Sequence, residues 1–203
     1  MGVGDVLWQG RTWPAAEVLS QLNLQPIAPG AKEGLSLVNG TPCMTGLACL
    51  ALDDAERLMD WADVTGAMSF EALRGQLVAF DAEILALKAS PGIQTSGQRL
   101  RELLADSPLL AESQGLRTQD ALSLRSMPQV HGACRDQFSH AQTQINIELN
   151  ACTDNPLILG TVEQWRVVSQ AHPHGESVAM ACDLLAIAWQ SWALSLNDAL
   201  TGW

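Results

Sequence analysis

Tyrosine is absent from this 203-residue chain, so no phenol within it can serve as an acid or base. Basic residues are scarce. Eleven Lys and Arg stand against 22 Asp and Glu, a formal net charge of −11, and no stretch concentrates them. Binding to phosphate backbones needs clustered cations, which argues against nucleic acid and against an anionic membrane surface as partners. The five cysteines, Cys43, Cys49, Cys134, Cys152 and Cys182, form no C-x-x-C pair and sit among apolar neighbours. That reads as reduced, buried thiols in a cytoplasmic protein, with no disulfide framework. Met1-Gly-Val-Gly-Asp5 has neither the basic nor the long apolar run of a signal peptide. The most apolar stretch, Val178 to Leu196, is interrupted by Asp183, Gln190 and two serines, which speaks against a membrane span. No phosphate-binding glycine loop is present, because Gly2, Gly4 and Gly10 lack a strand–turn–helix context. Internal repeats and low-complexity tracts are missing as well.

What is there is ample for a core, with 47% hydrophobic residues. Residues 1–13 read as two short extended pieces around Gly10, followed by a short helix over 14–22 and a loop over 26–34. Thr41 is a good N-cap and Pro42 a good first helical residue. Leu47, Leu50, Ala51, Ala55, Leu58, Met59 and Ala62 then recur at helical spacing, with Asp53 placed to pair with Arg57. This helix is expected to run on towards Gly75 with a break at Gly66. A second helix is expected over 80–89, stopped by Pro91-Gly92, and a third over 94–105. Residues 107–124 have no sustained period and read as a long loop, which in a compact chain suggests function. From Pro128 to about Asn150, Val130, Cys134, Phe138, Ala141, Ile145 and Leu149 form an apolar ladder. Thr153-Asp-Asn-Pro is turn chemistry, and 157–168 reads as a small hairpin across Gly160-Thr161. From Gly175 to Leu200, Val178, Cys182, Leu185, Trp189, Trp192 and Leu196 alternate at steps of four and three, a seam for packing against other long helices. The fold expected is mainly α: an extended and looped lead-in over 1–34, then a long-helix bundle over 35–203 carrying the hairpin. A bundle with such an apolar terminal helix calls for partners.

The densest stretch chemically is 119–135, where Gln119, Asp120, Ser123 and Arg125 precede a helix start at Pro128. Two readings of Arg125 stand. One is an ion pair with Asp120 or Asp136, the usual fate of a buried charge. The other is recognition of a substrate carboxylate, for which a planar guanidinium is well shaped. His172-Pro-His174 is the only paired-histidine feature and has no cysteine or carboxylate at zinc-like spacing, so no metal site is expected. Cys134 near His131 could suggest a nucleophile, but its place on the apolar ladder favours core packing. What remains is rich in carboxamides: Asn39, Gln119, Gln129 and Asn155. These groups do not titrate, yet they hold amino and carboxylate groups well.

Three runs, in order, carry a resemblance: Ala31-Lys-Glu-Gly-Leu-Ser-Leu-Val-Asn-Gly-Thr, Gln119-Asp-x-x-Ser-Leu-Arg-x-Met-Pro-Gln-Val-His-Gly-Ala, and Glu148-Leu-Asn-x-x-Thr-Asp-Asn-Pro-Leu. With filler such as Leu52-Asp-Asp-Ala-Glu-Arg-Leu, they resemble the aromatic amino acid ammonia-lyases, the histidine and phenylalanine ammonia-lyase family. The similarity covers nearly the whole chain but only the middle of the family's length. It implies a long-helix bundle that assembles as a homotetramer, and β-elimination of ammonia from an α-amino acid. The electrophile it implies is a methylidene-imidazolone formed from an internal Ala-Ser-Gly. By position in the motifs, Arg125 would bind the substrate carboxylate with help from Asn155. Asn39 would hydrogen-bond near the amino group or the electrophile, supported by Gln119.

The departures are specific. The Ala-Ser-Gly segment would fall upstream of Met1, and Thr95-Ser96-Gly97 is only an echo of it in the wrong region. Leu122 stands where the family usually has a tyrosine after Gln-Asp, the family's tyrosine base is missing too, and His172 and Pro173 replace an Asn and an aromatic. The C-terminal part of the bundle with a pocket Glu is also expected to be missing. The expectation is therefore a histidine-type ammonia-lyase acting in histidine catabolism, incomplete or inactive as a lone chain. Its partners would be an amino acid substrate, copies of itself or a complementing lyase fragment. The alternative is a non-catalytic relative that uses the helical seam only for assembly.

Overall fold

A computed structural model describes residues 2–201, with side chains described as far as residue 194. The chain opens with a β-hairpin, β1 (Asp5–Trp8) and β2 (Arg11–Pro14), paired antiparallel with Trp8 opposite Arg11. Gln9 and Gly10, both at positive φ, make the two-residue turn whose twist matches such a hairpin. Trp8 and Trp13 meet edge to face at 6.1 Å. Two short helices follow, α1 (Ala15–Gln21) and α2 (Glu33–Ser36).

The frame consists of four longer helices. The first, α3 (Pro42–Ala72), begins at Pro42 as its missing N–H predicts, and Arg57 reaches Asp53 at 3.0 Å. Thr41 does not cap it through its side chain; its hydroxyl instead donates to Glu148 at 2.5 Å. The break expected at Gly66 does not occur. Gly66 is buried, and a Cβ there would lie 3.3 Å from the His131 ring, so the glycine serves packing between helices.

The reading of 80–105 needs correction. Leu77–Phe80 is a 3-10 turn, and α4 (Ala82–Ala86) is capped by the Asp81 carboxylate, which accepts from the Glu83 and Ile84 amides. Pro91-Gly92, expected to stop a helix, instead starts α5 (Pro91–Leu103) with Ser90 as its cap. A proline in the first turn loses no hydrogen bond, so the same residue can end one helix or begin the next. Residues 107–124 are also more ordered than expected. They hold α6 (Pro108–Ser113), capped by Ser107, and the start of α7 (Leu122–Arg125), each too short to show a period.

The third long helix, α8 (Met127–Leu149), runs antiparallel to α3, with Met127 near Gly66 at one end and Glu148 against Thr41 at the other. Of its ladder, Cys134, Phe138, Ala141 and Ile145 are buried, whereas Leu149 is largely exposed. A second hairpin, β3 (Leu157–Gly160) with β4 (Trp165–Val168), leads to α9 (Glu176–Thr201). Val178, Leu185 and Trp192 of its seam are buried. Ala181 takes the inward place expected of Cys182, and Leu196 lies outside the described side chains. The window Glu176–Leu194 is long and apolar enough to cross a membrane by composition, at mean hydropathy 1.3, but these inward residues join the core of the bundle. Two main clusters form that core: Met59, Phe138, Leu185 and Trp192 at its centre, and Phe70, Phe80, Leu100 and Met127 at the α8 N-terminal end.

Candidate active site

The four residues singled out by the motifs form two pairs at opposite ends of α8. Asn39 lies in the turn before α3, and Asn155 in the turn after α8. Gly40, at φ +98, lets these turns touch: a Cβ there would sit 2.9 Å from the Thr153 carbonyl oxygen. Thr41 N–H donates to Thr153 Oγ1 at 3.4 Å. Between the asparagines lies Asp154, whose Oδ1 accepts from Asn39 Nδ2 at 3.2 Å and from the Asn155 amide at 2.7 Å. Its Oδ2 accepts from Ser36 Oγ at 2.7 Å and pairs with Lys32. Hydrogen bonds from Lys32, then Ser36, then Asn39 hold the Asp154 carboxyl well below the usual carboxylate range.

These bonds fix the polarity of both carboxamides. A carboxylate only accepts, so the NH2 end of Asn39 faces Asp154, and its carbonyl oxygen has no partner among the described residues. Asn155 is the reverse. Its Oδ1 accepts from the Gln170 amide at 2.7 Å, leaving the NH2 as the available end. Gln170 in turn donates to the Asp154 carbonyl at 2.5 Å, tying the turn to the approach of α9. One asparagine thus offers an acceptor and the other a donor.

At the far end stand Gln119 and Arg125, which line one cavity of about 170 Å³ with Gln76 and Asp120. Neither carboxylate expected for Arg125 reaches it. Asp120 pairs with Arg117 at 2.9 Å and accepts the Gln76 amide at 2.5 Å. Asp136 accepts from Ser90 Oγ at 2.6 Å and the Gly92 amide at 2.8 Å, bracing the start of α5. The Arg125 Nε is buried without a hydrogen-bond partner, as are Ser123 Oγ and Gln129 Oε1 within one helical turn of it. Gln76 steadies the connection before Gln119, donating to the Ser113 carbonyl at 2.8 Å and accepting the Gly115 amide at 2.8 Å. A larger cleft of about 950 Å³ between the 3-10 turn and α6 includes none of the four motif residues.

Since α8 has 23 residues, the two pairs are separated by about 34 Å of helix. Neither the Arg125 cavity nor the larger cleft includes Asn39 or Asn155. The Cys134–His131 pairing is set aside by the geometry: His131 Nδ1 bonds Asp63 at 2.7 Å, and Cys134 donates to the Ala188 carbonyl at 3.2 Å. Burial pushes the Cys134 thiol up to about 11, the wrong direction for a nucleophile. Contrary to the expectation of buried thiols, Cys43, Cys152 and Cys182 are exposed. His172 Nδ1 lies 3.1 Å from the Cys152 carbonyl, and no metal-binding group of three side chains occurs among the described residues. Ser96 is buried inside α5, its hydroxyl taken by Arg135 Nε at 3.2 Å, so Thr95-Ser96-Gly97 is ordinary helix. Sequence reasoning read the 153–156 turn as a turn and missed Asp154 as the hub of this end. The signal was a lysine and a serine four residues apart, both facing it from the 31–39 run.

A long-helix bundle of this shape is that of the amino acid lyases and aminomutases. Tyrosine aminomutase of Streptomyces globisporus superposes with a TM-score of 0.88 at 31% identity, over 98% of this chain and 41% of that one. Histidine ammonia-lyase of Trypanosoma cruzi gives 0.84 at 34% identity, over 98% and 37%. The chain belongs to the aromatic amino acid lyase family, whose model matches residues 1–199. Histidine ammonia-lyase of Chloroflexus aurantiacus is 44% identical over 192 residues, 93% of this chain. That alignment covers 36% of the relative, so the chain spans about a third of the length of the curated relatives it matches.

Proposed function

We propose that this segment supplies substrate-binding ends of a histidine-type ammonia-lyase, which removes ammonia from an α-amino acid by β-elimination. The observation that carries the reading is Arg125. A guanidinium whose Nε is buried without an acceptor, and which has no ion-pair partner among the described residues, is set up to receive a carboxylate from outside. Gln119 lines the same cavity and supports the incoming group. The available NH2 of Asn155 adds a donor for the same carboxylate. The carbonyl oxygen of Asn39 suits an ammonium or amine.

The two ends lie about 34 Å apart, too far to hold one amino acid. Two copies laid side by side in opposite directions bring the Arg125 end of one to the Asn39–Asn155 end of the other. The large apolar side chains left exposed along α3, among them Leu47, Leu50, Leu58, Trp61 and Met68, offer the surface for such packing. The active form is therefore a homo-oligomer, completed by the remaining two-thirds of the lyase length.

A methylidene-imidazolone ring offers only acceptors, so the outward carbonyl of Asn39 does not suit it, and the available NH2 of Asn155 is the donor that would hold it. Bound there, the group would supply an electrophile that polarises the substrate. Asn39, Gln119, Arg125 and Asn155 bind and orient the substrate at both ends of its backbone, and neither a carboxamide nor a guanidinium is a base for the β-proton. Leu122, mostly exposed, occupies the position where the resemblance implies tyrosine. That substitution favours a second reading, a non-catalytic relative retained for assembly.

The test is release of ammonia and the unsaturated acid from L-histidine, followed by ultraviolet absorbance. It is run on the purified protein alone and with the polypeptide that carries the Ala-Ser-Gly segment. Turnover that Arg125→Ala abolishes supports the lyase reading. Turnover indifferent to Arg125→Ala removes Arg125 from its role, and no turnover in either mixture favours the assembly reading.

A further inference from the structure

We propose that Asp154 is a positioning residue that sets which end of the Asn39 carboxamide meets the substrate, with Lys32 holding Asp154 in place. The inference rests on the substrate-binding role given to Asn39 above. A carboxamide is nearly symmetric in shape and chooses its orientation from its neighbours. Here the neighbour is a carboxylate that only accepts, so the NH2 end of Asn39 is drawn inward at 3.2 Å and the carbonyl is turned out. The same Oδ1 accepts the Asn155 amide at 2.7 Å, so one side chain registers both asparagines.

Lys32 does this from a left-handed backbone position, φ 73, at the head of α2, and Ser36 one turn later adds its hydroxyl at 2.7 Å. The chain between this pair and Asp154 is more than a hundred residues long, so the contact is tertiary. Glu33, next to Lys32, is turned to the Gly30 amide at 2.6 Å, and Glu148 is taken by the Thr41 hydroxyl at 2.5 Å. With Lys32, Ser36, Asn39 and the Asn155 amide all donating to it, the Asp154 carboxyl stays ionised and therefore acceptor-only. An asparagine at 154 has both a donor and an acceptor end, and would allow Asn39 to turn over.

The direct test is the side-chain amide signal of Asn39 in the ¹⁵N-labelled full chain. In the native protein, one set of signals is expected, with one proton shifted downfield by the carboxylate. Asp154→Asn should remove that shift or split the signal into two sets, while Lys32→Met should broaden it with the fold intact by circular dichroism. Unchanged Asn39 signals in a folded Asp154→Asn protein would overturn the proposal. Kinetics separate positioning from general structural support. In the active assembly Asp154→Asn should lower kcat about tenfold, but by less than about twofold once Asn39 is already alanine. Equal losses in both backgrounds would mean that Asp154 does not act through Asn39, again overturning it. Should Asn39→Ala leave turnover intact, the functional reading falls on that result alone, and the amide signals still decide the role of Asp154.

Discussion

At the residue scale, Arg125 and the cysteines give the sharpest expectations. Arg125→Lys keeps the charge but loses the planar fork, so it should behave nearly as badly as alanine towards a carboxylate. A charge-assisted hydrogen bond is worth about 1.5–3 kcal/mol, which corresponds to a rise in KM of roughly one to two orders of magnitude for Arg125→Ala. Steady-state kinetics across both variants checks this, and a KM unchanged in either would contradict it. Cys134 should be the slowest of the five thiols to alkylate, because burial both raises its pKa to about 11 and blocks access. Mass spectrometry after a timed exposure to iodoacetamide would read this directly. These residue types were legible in the sequence, and Arg125 was singled out there. Its lack of a counterion among the described residues was not legible, because Asp120 and Asp136 sit close in sequence and only the fold commits them elsewhere.

At the scale of elements, two contacts hold the bundle in register. The first is the crossing of α5 and α8, where Gly92 and Gly132 face each other. A Cβ on Gly132 would lie 2.4 Å from the Ile93 amide nitrogen, and backbone cannot yield as a flexible side chain would. Gly132→Ala should therefore destabilise by about 1–3 kcal/mol or more through overpacking, measured by urea denaturation. The second is Asp63 on α3, fully buried. It receives His131 at 2.7 Å and Arg135 at 2.5 Å from α8, and Arg99 at 3.1 Å from α5. Burial pushes the Asp63 carboxyl up, but the His131 hydrogen bond and the Arg135 charge outweigh it and leave it lowered. Its folded pKa thus lies below the unfolded one, so this stabilisation is complete above about pH 4 and is lost as the pH falls towards the folded value. Asp63→Asn should cost about 3–5 kcal/mol at neutral pH by removing the buried charge that Arg135 and His131 face, while Arg99 keeps Asp60 at 2.8 Å, with the penalty shrinking in acid. Thermal melts over a pH series would expose the opposite trend if it existed. The sequence made the long helices readable because their period lasts many turns. It misplaced the 80–105 boundaries because a proline carries the same signal on either side of a helix end, and α6 and α7 are too short to show a period.

For the whole molecule, the expectation is self-association. Sedimentation velocity should find the active protein as an oligomer, and a charge at the exposed Trp61, as in Trp61→Glu, should shift it towards smaller species without unfolding it. An assembly unaffected by that change would move the interface off this face of α3.

The chain by itself determined the bundle, its long helices and the family. Sustained apolar spacing and three ordered motifs are local in sequence and survive without coordinates. Tertiary structure alone decided which charges are already spent and which carboxamide ends remain available, because those depend on partners up to 122 residues away. That Arg125 and Asn155 flank one helix was already legible from the apolar ladder over 128–150, and the fold showed that this helix runs unbroken between them. The 23 residues of rigid α8 set how far apart the two motifs stand in space.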